Sequence, residues 1–250
     1  MKEAENFVVL GGDVRQISVA NILAEKGFGV KAYGFGNTEG FSPKVHIAKS
    51  LDSSLFGAEA IILPLPCSTD DETLNLLGFK EPIKLFELFR KIPQDSIVLG
   101  GRITEKVFGI AALYQKTLVD YFDREELEIL NAVPTAEGAL QIAMEETATT
   151  ISGSNCLVLG HGRISKVLSR LLAGMNARVT VAARKQQDLA WIRVRGYQDV
   201  HIYHMEESLK KADIIFNTVP SMILNEKELK LLNKNTLVID LASKPGGAGV

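Results

Sequence analysis

The chain has 250 residues, 46% of them apolar and 23% charged, with a formal charge of −2. That length holds about one to two domains, and the composition excludes a disordered chain. The near-neutral charge gives no general electrostatic basis for a nucleic-acid or anionic membrane partner. The amino terminus, Met1-Lys2-Glu3-Ala4-Glu5-Asn6, lacks the apolar core of a signal peptide. No run approaches the roughly 18 apolar residues of a membrane span, so a cytoplasmic protein is expected.

In chain order, the first half alternates strand signals near 6–10, 29–34, 59–65 and 96–100 with helix signals near 15–26, 82–91 and 104–113. Such alternation predicts a parallel α/β sheet. A short strand near 117–121 and a charged helix near 123–131 follow, and Pro134 then opens a connector helix over about 135–151. The second half repeats the alternation, with strands near 155–160, 178–182, 199–203, 213–217 and 236–240 and helices near 163–174, 186–194, 206–211 and 225–232. The expected architecture is two Rossmann-like doubly wound parallel-sheet domains, 1–133 and 153–250, joined by a connector helix at 134–152.

The two halves open alike. Asn6-Phe7-Val8-Val9-Leu10-Gly11-Gly12-Asp13 aligns with Asn155-Cys156-Leu157-Val158-Leu159-Gly160-His161-Gly162, so aspartate stands in one turn where glycine stands in the other. A glycine at 162 lets main-chain N–H groups approach a pyrophosphate at a helix N-terminus, whereas the Asp13 carboxylate repels it. Gly160-His161-Gly162-Arg163-Ile164-Ser165 thus reads as the cofactor turn, with serine as the small third residue. After the next strand, Arg184 and Lys185 follow Ala183 where an NAD-binding protein usually carries an acid. This points to NADP, with Arg184 forking onto the 2′-phosphate; the alternative is a pair of solvated loop charges. Asn217-Thr218-Val219-Pro220 ends the fourth strand of this half, where the nicotinamide ribose commonly lies, or is a plain proline turn.

In the first half the polar residues cluster at strand carboxyl ends: Asp13 and Arg15, then Ser68 and Thr69 beside Cys67, then Arg102. Open α/β sheets place ligands there, and two arginines suit a small molecule with carboxylates. The alternative pairs Arg15 with Asp13 as a local bridge and leaves Arg102 in solvent. Thr135 and Glu137, after Pro134, either cap the connector helix or line a cleft between domains. Neither the histidines nor Cys67 and Cys156 form a metal set, and His201 and His204 read as surface residues.

With these residues in view, the chain resembles the dipicolinate synthase A subunits of endospore-forming bacteria. The resemblance rests on Gly11-Gly12-Asp13-Val14-Arg15-Gln16, Pro64-Leu65-Pro66, Gly100-Gly101-Arg102, Pro134-Thr135-Ala136-Glu137-Gly138, Gly160-His161-Gly162-Arg163 and Asp240-Leu241-Ala242-Ser243-Lys244-Pro245-Gly246-Gly247. It implies NADP-dependent oxidation of dihydrodipicolinate, a ring dicarboxylate, to dipicolinate. It also implies a partner, the flavoprotein-like B subunit of dipicolinate synthase, and a place in the mother cell of a sporulating bacterium, and leaves homo-oligomerisation open. The family continues beyond the Pro-Gly-Gly segment, so a shortened cofactor domain is expected here. If a base is needed, Asp13 or Glu137 takes the proton. Two further readings stand beside this one: a shikimate or quinate dehydrogenase-like NADP oxidoreductase, and a module that senses NAD(P) without chemistry.

Overall fold

The computed structural model describes residues 6–52 and 57–242. The chain divides into two compact units, Met1–Leu127 and Glu128–Val250.

In the first unit the strands are β1 (Asn6–Leu10), β2 (Gly29–Tyr33), β3 (His46–Ile47), β4 (Ala60–Ile62), β5 (Ile97–Gly100) and β6 (Thr117–Asp120). They form one parallel sheet in the order β3-β2-β1-β4-β5-β6. That order reverses direction between β1 and β4, the switch point where doubly wound sheets bind ligands. Helices α1 (Val14–Glu25), α2 (Leu85–Lys91) and α3 (Glu105–Leu113) connect the strands. The sheet is apolar on both faces because helices cover both. Val8, Leu10, Ile61, Leu63 and Val98 pack with α2 and α3 residues Leu85, Leu88, Phe89 and Val107 on one side. Val9, Val30, Ala32 and Ile62 pack with Ala20 and Ala24 of α1 on the other.

After β6 the chain enters α4 (Glu125–Glu146), a single helix through Pro134. The sequence places a helix break at that proline, and the structure corrects it. Proline lacks the N–H that would bond to the carbonyl four residues back, but burial on one face outweighs that loss. Ala132, Ala136, Ala139, Leu140 and Ala143 are buried, and the last four join Val158, Leu168 and Leu172 in the core of the second unit. Thr135 and Glu137 therefore lie inside a helix and cap nothing: Thr135 Oγ1 donates to the Asn131 carbonyl at 3.0 Å, and Glu137 is exposed.

The second unit contains β7 (Asn155–Leu159), β8 (Arg178–Ala183), β9 (Gln198–His201), β10 (Ile214–Asn217) and β11 (Leu237–Asp240). Their parallel order is β11-β10-β7-β8-β9, the same winding with its switch point between β7 and β10. Helices α5 (Arg163–Gly174), α6 (Gln186–Val194), α7 (Glu206–Lys211) and α8 (Glu226–Leu229) flank it. Two smaller differences from the sequence reading lie in the first unit. The two-residue β3 is too short to leave a periodic signal, and β4 ends at Ile62 because Pro64 and Pro66 cannot donate to a ladder.

Candidate functional site

Asp13 and Gly162 occupy the same station in their units: each is the N-cap of the helix after the first strand, with nearly the same ψ, −164° and −165°. Asp13 fills its own cap, its Oδ1 accepting the Arg15 N–H at 2.9 Å. Gly162 offers no side chain, so the first N–H groups of α5 stay available to an outside acceptor. A Cβ at Gly162 meets nothing within 4 Å, so no crowding bars a side chain there and the space before α5 is open. The turn in the first unit is filled instead. A Cβ on Gly11 would stand 2.3 Å from Leu76, and one on Gly12 2.5 Å from Gln16 and 3.0 Å from Pro64.

Around Gly162 lies a cavity of about 300 Å³ bordered by Gly160, His161, Ala183, Arg184, Lys185, Asp188, Ile202, Tyr203, Val219, Ser221 and Ile223. Gly160 has φ +98° and is covered by Thr218, whose Oγ1 donates to the Leu159 carbonyl at 2.7 Å. The buried Ser165 hydroxyl donates to the Gly160 carbonyl at 2.7 Å, so it fastens the turn at the place where a third glycine is usual. Both ring nitrogens of His161 are buried without a partner. Burial, reinforced by Lys166, lowers its pKa and keeps the imidazole neutral. Arg184 and Lys185 are exposed and make no side-chain hydrogen bond or ion pair among the described residues. An open N-terminus, orphaned imidazole nitrogens and two uncommitted cations fit the phosphates of a dinucleotide.

Other expected cofactor residues serve the walls. Arg163 pairs with Glu128 of α4 at 2.6 Å, and Ile164 is half-buried on the first turn of α5. Asn217 is fully buried and committed, its amide donating to Asp240 at 2.9 Å and to the Val219 carbonyl at 3.1 Å while its oxygen accepts the Val219 N–H. That network shapes the 217–219 turn and leaves Val219 on the cavity wall, with Pro220 exposed beyond it. The expected continuation after Ala242 lies outside the described residues.

In the first unit the three expected loops meet. Arg15 forks onto Asp13, with Nε to Oδ1 at 2.9 Å and Nη2 to Oδ2 at 2.7 Å, and Nη2 also reaches the Leu65 carbonyl at 2.8 Å. The guanidinium hydrogen bond holds the Asp13 carboxyl below its ordinary pKa and raises that of Arg15. The local bridge allowed by the sequence is thus made, yet it also ties α1 to the loop after β4. That loop reaches the next one through Cys67 N–H and the Gly101 carbonyl at 2.7 Å. Ser68 is occupied with shaping its own loop, its hydroxyl accepting the Asp71 N–H at 3.0 Å and donating to Asp70, while Thr69 is exposed.

Two residues that sequence reasoning missed hold this region together. Asp120, at the end of β6, accepts from the N–H groups of Arg102, Ile103 and Phe122 at 3.0, 2.6 and 2.7 Å. It thereby holds Arg102 in the left-handed conformation at φ +56°. Tyr121 lies against Gly101 and donates to the Leu63 carbonyl at 3.2 Å; burial raises its phenol pKa, so it stays protonated. Their only sequence signal is position, next after a strand end. A hollow of about 450 Å³ over β1 and β2 is bordered by Asp13, Arg15 and Glu39 with Val14, Phe35 and Leu77.

Two parallel sheets of this winding, one with an open glycine-capped helix, define a dehydrogenase-type protein with a nicotinamide-dinucleotide domain. Residues 131–243 match the family described as D-isomer specific 2-hydroxyacid dehydrogenase, NAD binding domain. Residues 6–122 match the N-terminal domain of the dipicolinate synthase A subunit. Over 244 residues the chain is 34% identical to the dipicolinate synthase A subunit of Bacillus subtilis, covering 96% of this chain and 82% of the relative. The crystal structure of that Bacillus subtilis protein superposes with a TM-score of 0.84 at 31% identity over 99% of this chain and 84% of that one. The crystal structure of the Bacillus halodurans counterpart gives 0.87 at 30% identity, over 98% and 84%. The chain belongs to the dipicolinate synthase A subunit family. A transhydrogenase from Sinorhizobium meliloti, 13% identical over 96% of this chain and 80% of that one with a TM-score of 0.67, shares the fold. No helix among the described residues is long and apolar enough to cross a membrane.

Proposed function

We propose that this protein oxidises dihydrodipicolinate to dipicolinate with NADP as hydride acceptor, as the A subunit beside a flavoprotein-like B subunit in a sporulating cell. The observation that carries the cofactor choice is the wall of the 300 Å³ cavity, where Arg184 and Lys185 stand uncommitted beside an uncapped helix. A 2′-phosphate brings about two negative charges and acceptor oxygens that a guanidinium can fork onto.

When bound, the cofactor supplies C4 of the nicotinamide, which takes up hydride. The chain's own residues bind and orient. Arg15 and Arg102 are assigned to the substrate carboxylates, and the exposed Thr69 supplies a hydroxyl for its other polar edges. Arg15 is already oriented by Asp13 and the Leu65 carbonyl, and Arg102 by the Asp120 carboxylate under its main chain, so less freedom is lost on binding. Oxidation removes one hydride and one proton from the dihydropyridine ring, and aromatisation drives it. Asp13, kept ionised by Arg15, is a ready but weak proton acceptor, sufficient for an acidic ring proton.

The test is equilibrium binding and turnover with the full chain. NADP should bind more tightly than NAD, Arg184→Ala should erase that preference, and a dihydropyridine dicarboxylate should give a steady rise in nicotinamide absorbance. Arg15→Ala and Arg102→Ala should weaken dicarboxylate binding and spare NADP. Binding without turnover, with the B subunit present, would instead favour a sensing module.

A further inference from the structure

We infer that His201 is a positioning residue for the turn after β8, holding the main chain of Arg184 so that its guanidinium is aimed into the cavity. This rests on the NADP reading above and adds to it the residue that sets the strength of the preference.

The sequence reads His201 as a surface residue, but it is half-buried and bonded through both ring nitrogens. The β8–β9 ladder ends at the pair Ala183 and His201, and its last main-chain bond runs from Ile202 N–H to the Ala183 carbonyl at 3.1 Å. The next carbonyl, that of Arg184, lies beyond the ladder, and His201 Nε2 meets it at 3.1 Å. On the other side of the ring the Tyr203 N–H lies 3.4 Å from Nδ1. A main-chain N–H can only donate and a carbonyl can only accept, so Nδ1 is the acceptor and Nε2 carries the hydrogen. Both contacts require the same tautomer.

The ring therefore joins two segments that border one cavity, since Arg184 and Lys185 line it and so do Ile202 and Tyr203. The rings of Tyr203 and His204 flank His201, each with its centroid 5.5 Å away. Arginine has a long flexible stem, and fixing its main chain reduces the freedom lost when the guanidinium closes on phosphate. Loss of the anchor should act on the phosphate-bearing cofactor and hardly on NAD, which has no group for Arg184 to fork onto.

The experiment is isothermal titration of the full chain with NADP, NAD and 2′,5′-ADP, for wild type, His201→Leu, His201→Gln and Arg184→Ala. Glutamine presents an amide N–H near the position of Nε2; leucine fills space without a donor. His201→Leu should weaken NADP and 2′,5′-ADP about fivefold and NAD by less than about twofold, and His201→Gln should stay near wild type. If His201→Leu lowers the unfolding midpoint, His201→Phe, which keeps a ring between Tyr203 and His204 but has no donor, replaces it in the same titration. An unchanged ratio of NADP to NAD affinity in these variants, with the ratio collapsed in Arg184→Ala, overturns the role of His201 alone. Equal losses for both cofactors make His201 merely structural and also overturn it. An unchanged ratio in Arg184→Ala overturns the NADP reading and this inference together.

Discussion

Asp13 and Gly162 cap corresponding helices, both in extended backbone with nearly the same ψ, and one carboxylate separates a closed N-terminus from an open one. Gly162→Asp should therefore be tolerated by the fold, because its Cβ enters empty space at an ordinary φ of −83°. A new cap there should leave stability unchanged or raise it by about a few tenths of a kcal/mol. NADP affinity should fall by at least about a hundredfold through repulsion and blocked N–H groups, read by titration beside a thermal melt. Gly160→Ala should behave in the opposite way. With φ +98° and Thr218 Oγ1 2.6 Å from the new Cβ, it should cost roughly 1–3 kcal/mol of stability in chemical denaturation. The two thiols offer a separate check on burial. Burial raises Cys67 and Cys156 to about 12, above the ordinary thiol value, so the unfolded thiols ionise first. Their contribution to stability is then complete below about pH 8.5 and is lost as pH rises toward 12. At pH 8 neither should react with a disulfide reagent until the chain unfolds.

Among the elements, α4 departs furthest from what its sequence suggests. Pro134 marks a boundary by every local rule, yet the alanine face on both sides of it continues in register at 132, 136, 139 and 143, and burial holds the helix through the break. Pro134→Ala should restore the missing main-chain bond and stabilise the protein by roughly 1–3 kcal/mol, seen as a higher melting midpoint. An unchanged midpoint would mean that the helix is already relaxed around the proline. The strands were easier to read. Apolar runs such as Phe7-Val8-Val9-Leu10 and Cys156-Leu157-Val158-Leu159, each ended by glycine, can hardly be anything but buried parallel strands. The turn after β9 shows where such reading fails. The strand holding His201 is legible, but its side-chain bond to the Arg184 carbonyl crosses to the end of the neighbouring strand, and such a cross-strand bond leaves no periodic signal in the sequence.

For the molecule as a whole, each unit repeats the doubly wound design, and only the second leaves its glycine turn open to phosphate. NADP added to the full chain should slow amide exchange chiefly at 160–162 and 183–185 and at Val219, Ser221 and Ile223, which border the cavity, and in the first turn of α5, and leave the turn at 11–15 unchanged. Protection at 11–15 without protection at 160–163 would reverse the assignment of the two units. By itself the sequence determined the two alternating halves, the glycine turn, the cations after β8 and the family, because these depend on residue types at short spacing along one strand–turn–helix. Only the tertiary structure decided that α4 runs through Pro134, that Asp120 and Tyr121 support the arginine loops, and that His201 reaches the Arg184 carbonyl. Each of those depends on a burial face or a hydrogen bond between segments far apart in the chain, and local patterning carries no record of such partners.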